Sequence, residues 1–304
     1  MDVTHLETLR AVRDHGGVVA AAAALHVTPS AVSQQLAALQ RRAGVALVER
    51  VGRGVRLTPA GHELADRALD VAVALRRAEA AVDAYLEQPG GRVRVAAFQS
   101  AAALLFPGLL TRLAATDPGI DVELADEDVA QSAFPGLTAV HDVVVAHRPD
   151  APAGWGDGVV VVPLLREPLD VALPPDHPLA HATAVTPADL AGERWLAVRQ
   201  GFPVATVLDE VAAAAGAPVE VVQRINDFGV VEALVAAGHG VSLLPRYTAD
   251  HRDGARFALV PLRGVRAARR VDALVRPDRA ERVVVRRVLD ALRAEADAAS
   301  GDPG

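Results

Sequence analysis

The sequence predicts a multidomain chain: a small α-rich unit carrying a β-hairpin, one long linking helix, and an α/β domain of two lobes. Three observations carry this. Helical patterns followed by two strand-like runs around a glycine turn fill the first 58 residues. An unbroken helical stretch follows. Beyond Gln88-Pro89-Gly90-Gly91, short β-rich runs alternate with helical ones, the signature of α/β layering. At 304 residues the chain is long enough for two or three cores.

His5–His15 reads as a helix with Leu6, Leu9 and Val12 on one stripe, and Val18–Leu25 as a second, alanine-rich one. Thr28 is a good N-cap, and Pro29 at the first helical position sacrifices only an amide with no intrahelical partner. With Val32 set at zero and about 100° per residue, Leu36 and Leu39 share its side. Ser30, Ser33, Gln34, Ala37 and Arg41 fall opposite. Small polar residues let a helix sink into the major groove, and an amide can pair bidentately with adenine. Alone, this face also fits an ordinary solvated helix. Gly44–Arg50 and Val55–Thr58 then read as strands around Val51-Gly52-Arg53-Gly54, with Arg50, Arg53 and Arg56 on the hairpin. Such a wing reaches phosphate or the minor groove. Charge agrees: between Arg10 and His62 seven arginines face two acids, on a chain of net charge −7.

From Pro59 to Glu87 the pattern is helical, with Leu64, Ala68, Val71, Leu75, Ala78, Val82 and Tyr85 at alternating spacings of four and three. That is a coiled-coil seam or a stripe packed on its own domain. Farther on, strands are expected at Val93–Phe98, Ile120–Ala125, Asp142–Ala146, Leu169–Leu173, Trp195–Val198, Val219–Gln223, Gly240–Leu244 and Val271–Val275. Helices fit Ala101–Ala115, Val204–Ala215, Asp227–Ala237 and Arg279–Ala299. This alternation predicts a mostly parallel sheet.

Several function classes lose support. No apolar run is long enough for a bilayer and no secretory leader is visible, so a cytoplasmic protein is expected. Without cysteine there is no disulfide, thiolate nucleophile or cysteine zinc site. No phosphate loop, dinucleotide fingerprint or nucleophile elbow is found. Ser242 reads as a strand residue, Asp126-Glu127-Asp128 as solvated loop charge, and Pro178 spoils a metal pair of His177 and His181. No catalytic residue, metal or cofactor is expected. A transporter's solute-binding protein would suit the C-terminal part but not the basic N-terminal block. A domain serving only oligomerisation remains open.

The run from His26-Val27-Thr28-Pro29-Ser30-Ala31-Val32-Ser33-Gln34-Gln35-Leu36 through Gly44–Arg50 to Arg56-Leu57-Thr58-Pro59-Ala60-Gly61 resembles the LysR-type transcriptional regulators. Asp176–Ala180, Ala188–Ala191 and Gly238–Pro245 resemble that family's effector domain, itself similar to periplasmic binding proteins. The chain departs from the family's usual residues at Gly17, Val19, Ala20, Gln34 and Val48. The resemblance implies a winged helix-turn-helix over 1–58, a linker and dimerisation helix over 59–88, and an effector-binding domain over 92–297. Lobe 1 would span about 92–164 and 267–297, and lobe 2 about 165–266. It implies a sequence-specific regulator on double-stranded DNA, a homodimer or homotetramer, with a small polar or anionic effector between the lobes and no membrane partner. DNA contacts would come from Thr28, Pro29, Ser30, Ser33, Gln34, Gln35, Arg41, Arg50, Arg53 and Arg56. Effector contacts would come from Gln99, Ser100, His147, Arg199, Gln200, Asn226 and Asp227.

Overall fold

A computed structural model describes residues 1–52, 54–83, 89–152, 154–250 and 255–301. Arg53, Tyr85 and the end of the linker at 84–88 therefore lie outside the described residues. The N-terminal unit runs α1 (Val3–Asp14), α2 (Val18–Ala24), α3 (Pro29–Ala43), β1 (Val48–Val51), β2 (Gly54–Leu57) and α4 (Pro59–Asp83). Thr28 caps α3, accepting from the Ala31 amide at 3.2 Å. Gly44 ends it in the left-handed region, with φ of 71°. That turn corrects the expected strand start at Gly44 to Val48: the Gln40 side chain accepts from the Leu47 and Val48 amides, holding the connection as a loop. Leu6, Leu9, Val12, Val32, Leu36, Leu39, Leu47 and Leu57 form the core with Ala65 and Ala68 of α4. Gly61 touches the Leu47 carbonyl so closely that any Cβ would collide with it.

The expected seam on α4 divides. Leu64 and Ala68 pack on the N-terminal core, whereas Val71, Leu75 and Val82 are exposed.

The rest of the described chain runs β3 (Gly91–Ala97), α5 (Gln99–Thr116), β4 (Ile120–Asp126), α6 (Phe134–Leu137), β5 (Val143–Pro149), β6 (Val160–Leu173), β7 (Arg194–Ala197) and α7 (Pro203–Ala215). It continues with β8 (Glu220–Arg224), α8 (Phe228–Ala236), β9 (Ser242–Pro245), β10 (Ala258–Val260), β11 (Ala268–Val275), α9 (Pro277–Ala280) and α10 (Val283–Ser300). One core gathers residues of β3, α5, β5, α10 and the first part of β6. Others gather the last part of β6 with α7 and β9, and with α8 and Phe257. β6 and β11 pass between these cores.

The sheet is mixed, which corrects the expected mostly parallel one. β3 pairs in parallel with β4 and β5, and β7 with β8. β11 runs antiparallel to β5 and β6, as do β9 and β10 to β6. The reason is topological: β6 leads the chain out of one lobe and β11 brings it back alongside. Strand limits differ as well, most of all for β6. Leu169–Leu173 is only the end of a 14-residue strand whose first part holds Pro163 and Pro168, residues that argue against a ladder. β10 was not expected at all. The helix expected over Arg279–Ala299 is broken between α9 and α10.

Candidate nucleic-acid interface and effector cleft

On α3, Ser30, Ser33, Gln34 and Arg41 are exposed, opposite buried Val32, Leu36 and Leu39. Thr28 and Pro29 open the helix, and Thr28 Oγ1 lies 3.0 Å from Ser30 Oγ. Ser33 Oγ donates back to the Pro29 carbonyl at 2.9 Å, a bond it can exchange without breaking the helix. Gln35 is turned differently: it is half-buried and accepts from Thr8 Oγ1 at 2.6 Å, tying α3 to α1. Of the wing residues, Arg50 is exposed, Arg56 is paired with Glu49 at 2.6 Å, and Arg53 lies outside the described residues. The basic block thus splits. Arg10 and Arg13, counted in it from the sequence, pair with Asp278, Asp14 and Asp66 rather than pointing outward.

The second site lies where the N-termini of α5, α7 and α8 meet the crossing strands. A cavity of about 20 Å³ is lined by Phe98, Gln99, Ser100, Asp128, His147, Val198, Phe202, Pro203, Val204, Asn226, Phe228 and Arg269. That is room for roughly one water molecule. Arg269 is its buried cation. It donates to Glu167 through Nε at 2.8 Å and to Ser100 Oγ through Nη2 at 2.7 Å. Its guanidinium also stacks over Phe98, 4.8 Å from the ring centroid. Arg269 and Glu167 are 3% and 2% exposed.

His147 is caged by Phe98, Phe134 and Phe202, with ring centroids 4.6, 4.9 and 5.7 Å away. Burial first, then the nearby Arg269 charge, holds its imidazole well below the ordinary 6.5, so the ring is neutral at neutral pH. Its Nδ1 and the Glu167 Oε1 are buried with no hydrogen-bond partner among the described residues, which is costly unless something else supplies one.

Contacts between the lobes close the mouth. Gln99 Nε2 donates to Asp227 Oδ2 at 3.3 Å, and Asn226 Nδ2 donates to Asp128 Oδ2 at 3.1 Å. Asp227 also caps α8; the Val230 amide and then Gln99 hold its carboxyl below the usual range.

Of the expected effector residues, Gln99, Ser100, His147 and Asn226 line the cavity, and Asp227 touches it through Gln99. Arg199 and Gln200 are exposed and outside the lining; Arg199 contributes only its amide, to Asn226 Oδ1 at 2.9 Å. Sequence reasoning missed Arg269, Glu167 and Asp128. Arg269 hid beside Arg270 ahead of the apolar run, and Asp128 hid in an acidic triplet. Ser242 is a buried strand residue donating to the Leu196 carbonyl, and His177 is held by Glu193. Among the described residues, no group of three or more His, Cys, Asp or Glu could hold a metal ion. Ser100 bonds to a guanidinium rather than to an imidazole, so it lacks the base that would activate it.

Comparison with known proteins gives both sites a context. Residues 3–62 match the family described as bacterial regulatory helix-turn-helix protein, lysR family, and residues 86–297 match the LysR substrate binding domain. The DNA-binding transcriptional dual regulator OxyR of Escherichia coli (strain K12) is 27% identical over 300 residues, 98% of this chain and 96% of that protein. A full-length OxyR from Pseudomonas aeruginosa, solved as a cysteine-to-aspartate variant, superposes with a TM-score of 0.69 at 22% identity, covering 96% of this chain and 95% of that one. Full-length CbnR complexed with its target DNA gives 0.53 at 23% identity, covering 97% and 100%.

Proposed function

Because the chain belongs to the LysR-type family of DNA-binding transcriptional regulators, we propose that it reads operator DNA as a dimer through the exposed face of α3 and adjusts that reading to a small molecule held between its lobes. The observation that carries this is the amphipathic α3, with Ser30, Ser33, Gln34 and Arg41 in water and its apolar stripe buried. Gln34 and the serines touch base edges, with Thr28 and Pro29 at the groove's rim; Gln35 positions α3. Arg50, Arg53 and Arg56 meet backbone or minor groove. Domain limits of 1–58, 59–88 and 92–297 serve this division of labour. The exposed Val71, Leu75 and Val82 on α4 suit a helix partner from a second copy.

The effector is held at Ser100, Gln99, His147 and Asn226 once the lobes part, since the closed cavity of about 20 Å³ admits roughly one water molecule. A small polar molecule suits it better than an anion. The buried cation Arg269 is already neutralised by Glu167, and Asp128 and Asp227 stand at the mouth. The Pseudomonas OxyR was solved with one of its cysteines replaced; this chain has no cysteine, so thiol oxidation is not its signal. No catalytic step is proposed. Among the described residues no helix is long and apolar enough to cross a membrane, and a role on DNA fits the cytoplasm.

The test is a mobility-shift titration on the DNA upstream of its own gene, against scrambled DNA, at two salt concentrations. A specific complex weakening as salt rises supports the reading, because phosphate contacts release counterions. No specific binding to any fragment of a genome-wide pool overturns it.

A further inference from the structure

The N-terminal unit and the effector domain are joined by more than the linker. Six side chains form an unbroken line of alternating charge: Asp66, Arg13, Asp14, Arg276, Asp278 and Arg10. Successive contacts are 2.8, 2.8, 3.1, 2.9 and 2.8 Å. Asp66, Arg13, Asp14 and Arg10 belong to α1 and α4, whereas Arg276 and Asp278 follow β11 and enter the line from the effector domain. Arg10 and Asp278 are 6% and 12% exposed and Arg276 and Asp14 16% each, so these are not loose surface pairs. Removing one member of such a pair strands its partner's charge away from water. Arg77 on α4 adds an outer contact to Glu281 at 2.8 Å.

The other end of β11 carries Arg269, the cation of the effector cleft. The strand is hydrogen-bonded on both sides, to β5 and β6, and spans about 23 Å from Arg269 to Arg276 at roughly 3.3 Å per residue. We propose that Arg276 and Asp278 form a joint through which β11 couples the cleft to the DNA-binding unit: contact made or lost at Arg269 shifts the strand, and the ion-pair line passes the shift to α1. The joint offers a discrete element that both sites can bias, as coupling requires. This inference rests on reading the chain as an effector-controlled DNA binder, but its first test needs neither DNA nor effector.

The cysteine-free sequence accepts two labelled cysteines, Val19→Cys on α2 and Ala115→Cys on α5, in full-length chains diluted with unlabelled ones so that distances within one chain are read by electron–electron resonance. The expected result is one narrow distance in the parent, broadened by Asp278→Asn and by Arg276→Gln, kept by Asp278→Glu, and no broader in Arg10→Gln/Asp278→Asn than in Asp278→Asn alone. A distance already broad in the parent, or unchanged by Asp278→Asn, overturns the joint. Should Asp278→Asn fail to fold by circular dichroism, the outer variant Glu281→Gln reads the same interface and is expected to broaden the distance to a lesser degree; no change overturns the joint equally. Coupling is tested on operator DNA: Ser100→Ala is expected to shift operator Kd severalfold in the parent and not in Asp278→Asn. An equal shift in both backgrounds, or none in either, leaves a structural contact and overturns the coupling. Failure of every form to bind DNA would instead overturn the functional reading, with the distance result still standing.

Discussion

Helix α3 and the cavity between the lobes keep their polar side chains in opposite circumstances. On α3, Ser30, Gln34 and Arg41 stand in water, where being unbound costs nothing. In the cleft, Ser100, His147, Glu167 and Arg269 are all 2–9% exposed, where an unmatched charge or donor is expensive. An exposed polar side chain needs no protein partner, but a buried one must carry its own, and Glu167 is that partner for Arg269. On the proposed reading the α3 face separates recognition from stability, while the cleft makes the same residues serve both.

The sharpest way to break that contrast is to remove a partner on each side. Arg269→Ala leaves Glu167 ionised, buried and uncompensated, and is expected to destabilise the chain by about 3–5 kcal/mol in urea unfolding. Replacing both, as Arg269→Met/Glu167→Leu, is expected to recover most of the loss. A loss below about 1 kcal/mol for the single variant would show the pair to be solvated and the contrast false. Gln34→Ala is expected to leave urea unfolding unchanged while costing about 1–3 kcal/mol of discrimination at one operator base pair. If it left sequence preference intact, the reading face would lie elsewhere on α3.

The same contrast explains what the sequence made legible. The α3 site could be seen because one helical period separates its buried stripe from its exposed face, and Thr28-Pro29 marks where counting starts. Gln35 falls about 60° from Val32 in the same period, on the buried side, and there it accepts from Thr8, so its place among the DNA contacts came from the resemblance rather than from the periodicity. The cleft was half legible: Gln99, Ser100, His147 and Asn226 follow strand ends or precede a helix, where α/β folds collect ligands. Its charged floor was not, because Arg269 meets Glu167 and Ser100 from 102 and 169 residues away. Arg10 escaped for the same reason: a local count of charge cannot show that Asp278 arrives from the far end of the chain. Strand direction was equally invisible, since side-chain alternation is the same in parallel and antiparallel ladders.

Acidity sharpens the cleft side of the comparison. His147 is held below its ordinary 6.5 in the folded chain by burial and by Arg269, so the unfolded chain takes up a proton first as pH falls. Stability from this residue is full above 6.5 and is lost below it, at a rate approaching about 1.4 kcal/mol per pH unit. Unfolding between about pH 7.5 and 5.5 is expected to show that limb in the parent and to lose it in His147→Phe. An unchanged limb in the variant would assign it to another group.

The smallest effect is also the one with the most informative sign. Arg56 sits across the wing hairpin from Glu49 and is ion-paired to it at 2.6 Å, both exposed at 68% and 47%. A pair this wet contributes little to folding, so its removal leaves the unfolding curve in place. If Arg56 meets phosphate as proposed, the same pair works against binding, because Glu49 brings its own charge near phosphate and occupies the guanidinium. Glu49→Gln is therefore expected to tighten operator and scrambled DNA alike by a few-fold and to steepen the salt dependence by at most about one phosphate contact. Tightening on the operator alone would mean that the wing reads bases rather than backbone. Weaker binding would mean that Glu49 aims Arg56 at its phosphate, and then even this exposed site would depend on an internal partner, as the cleft does.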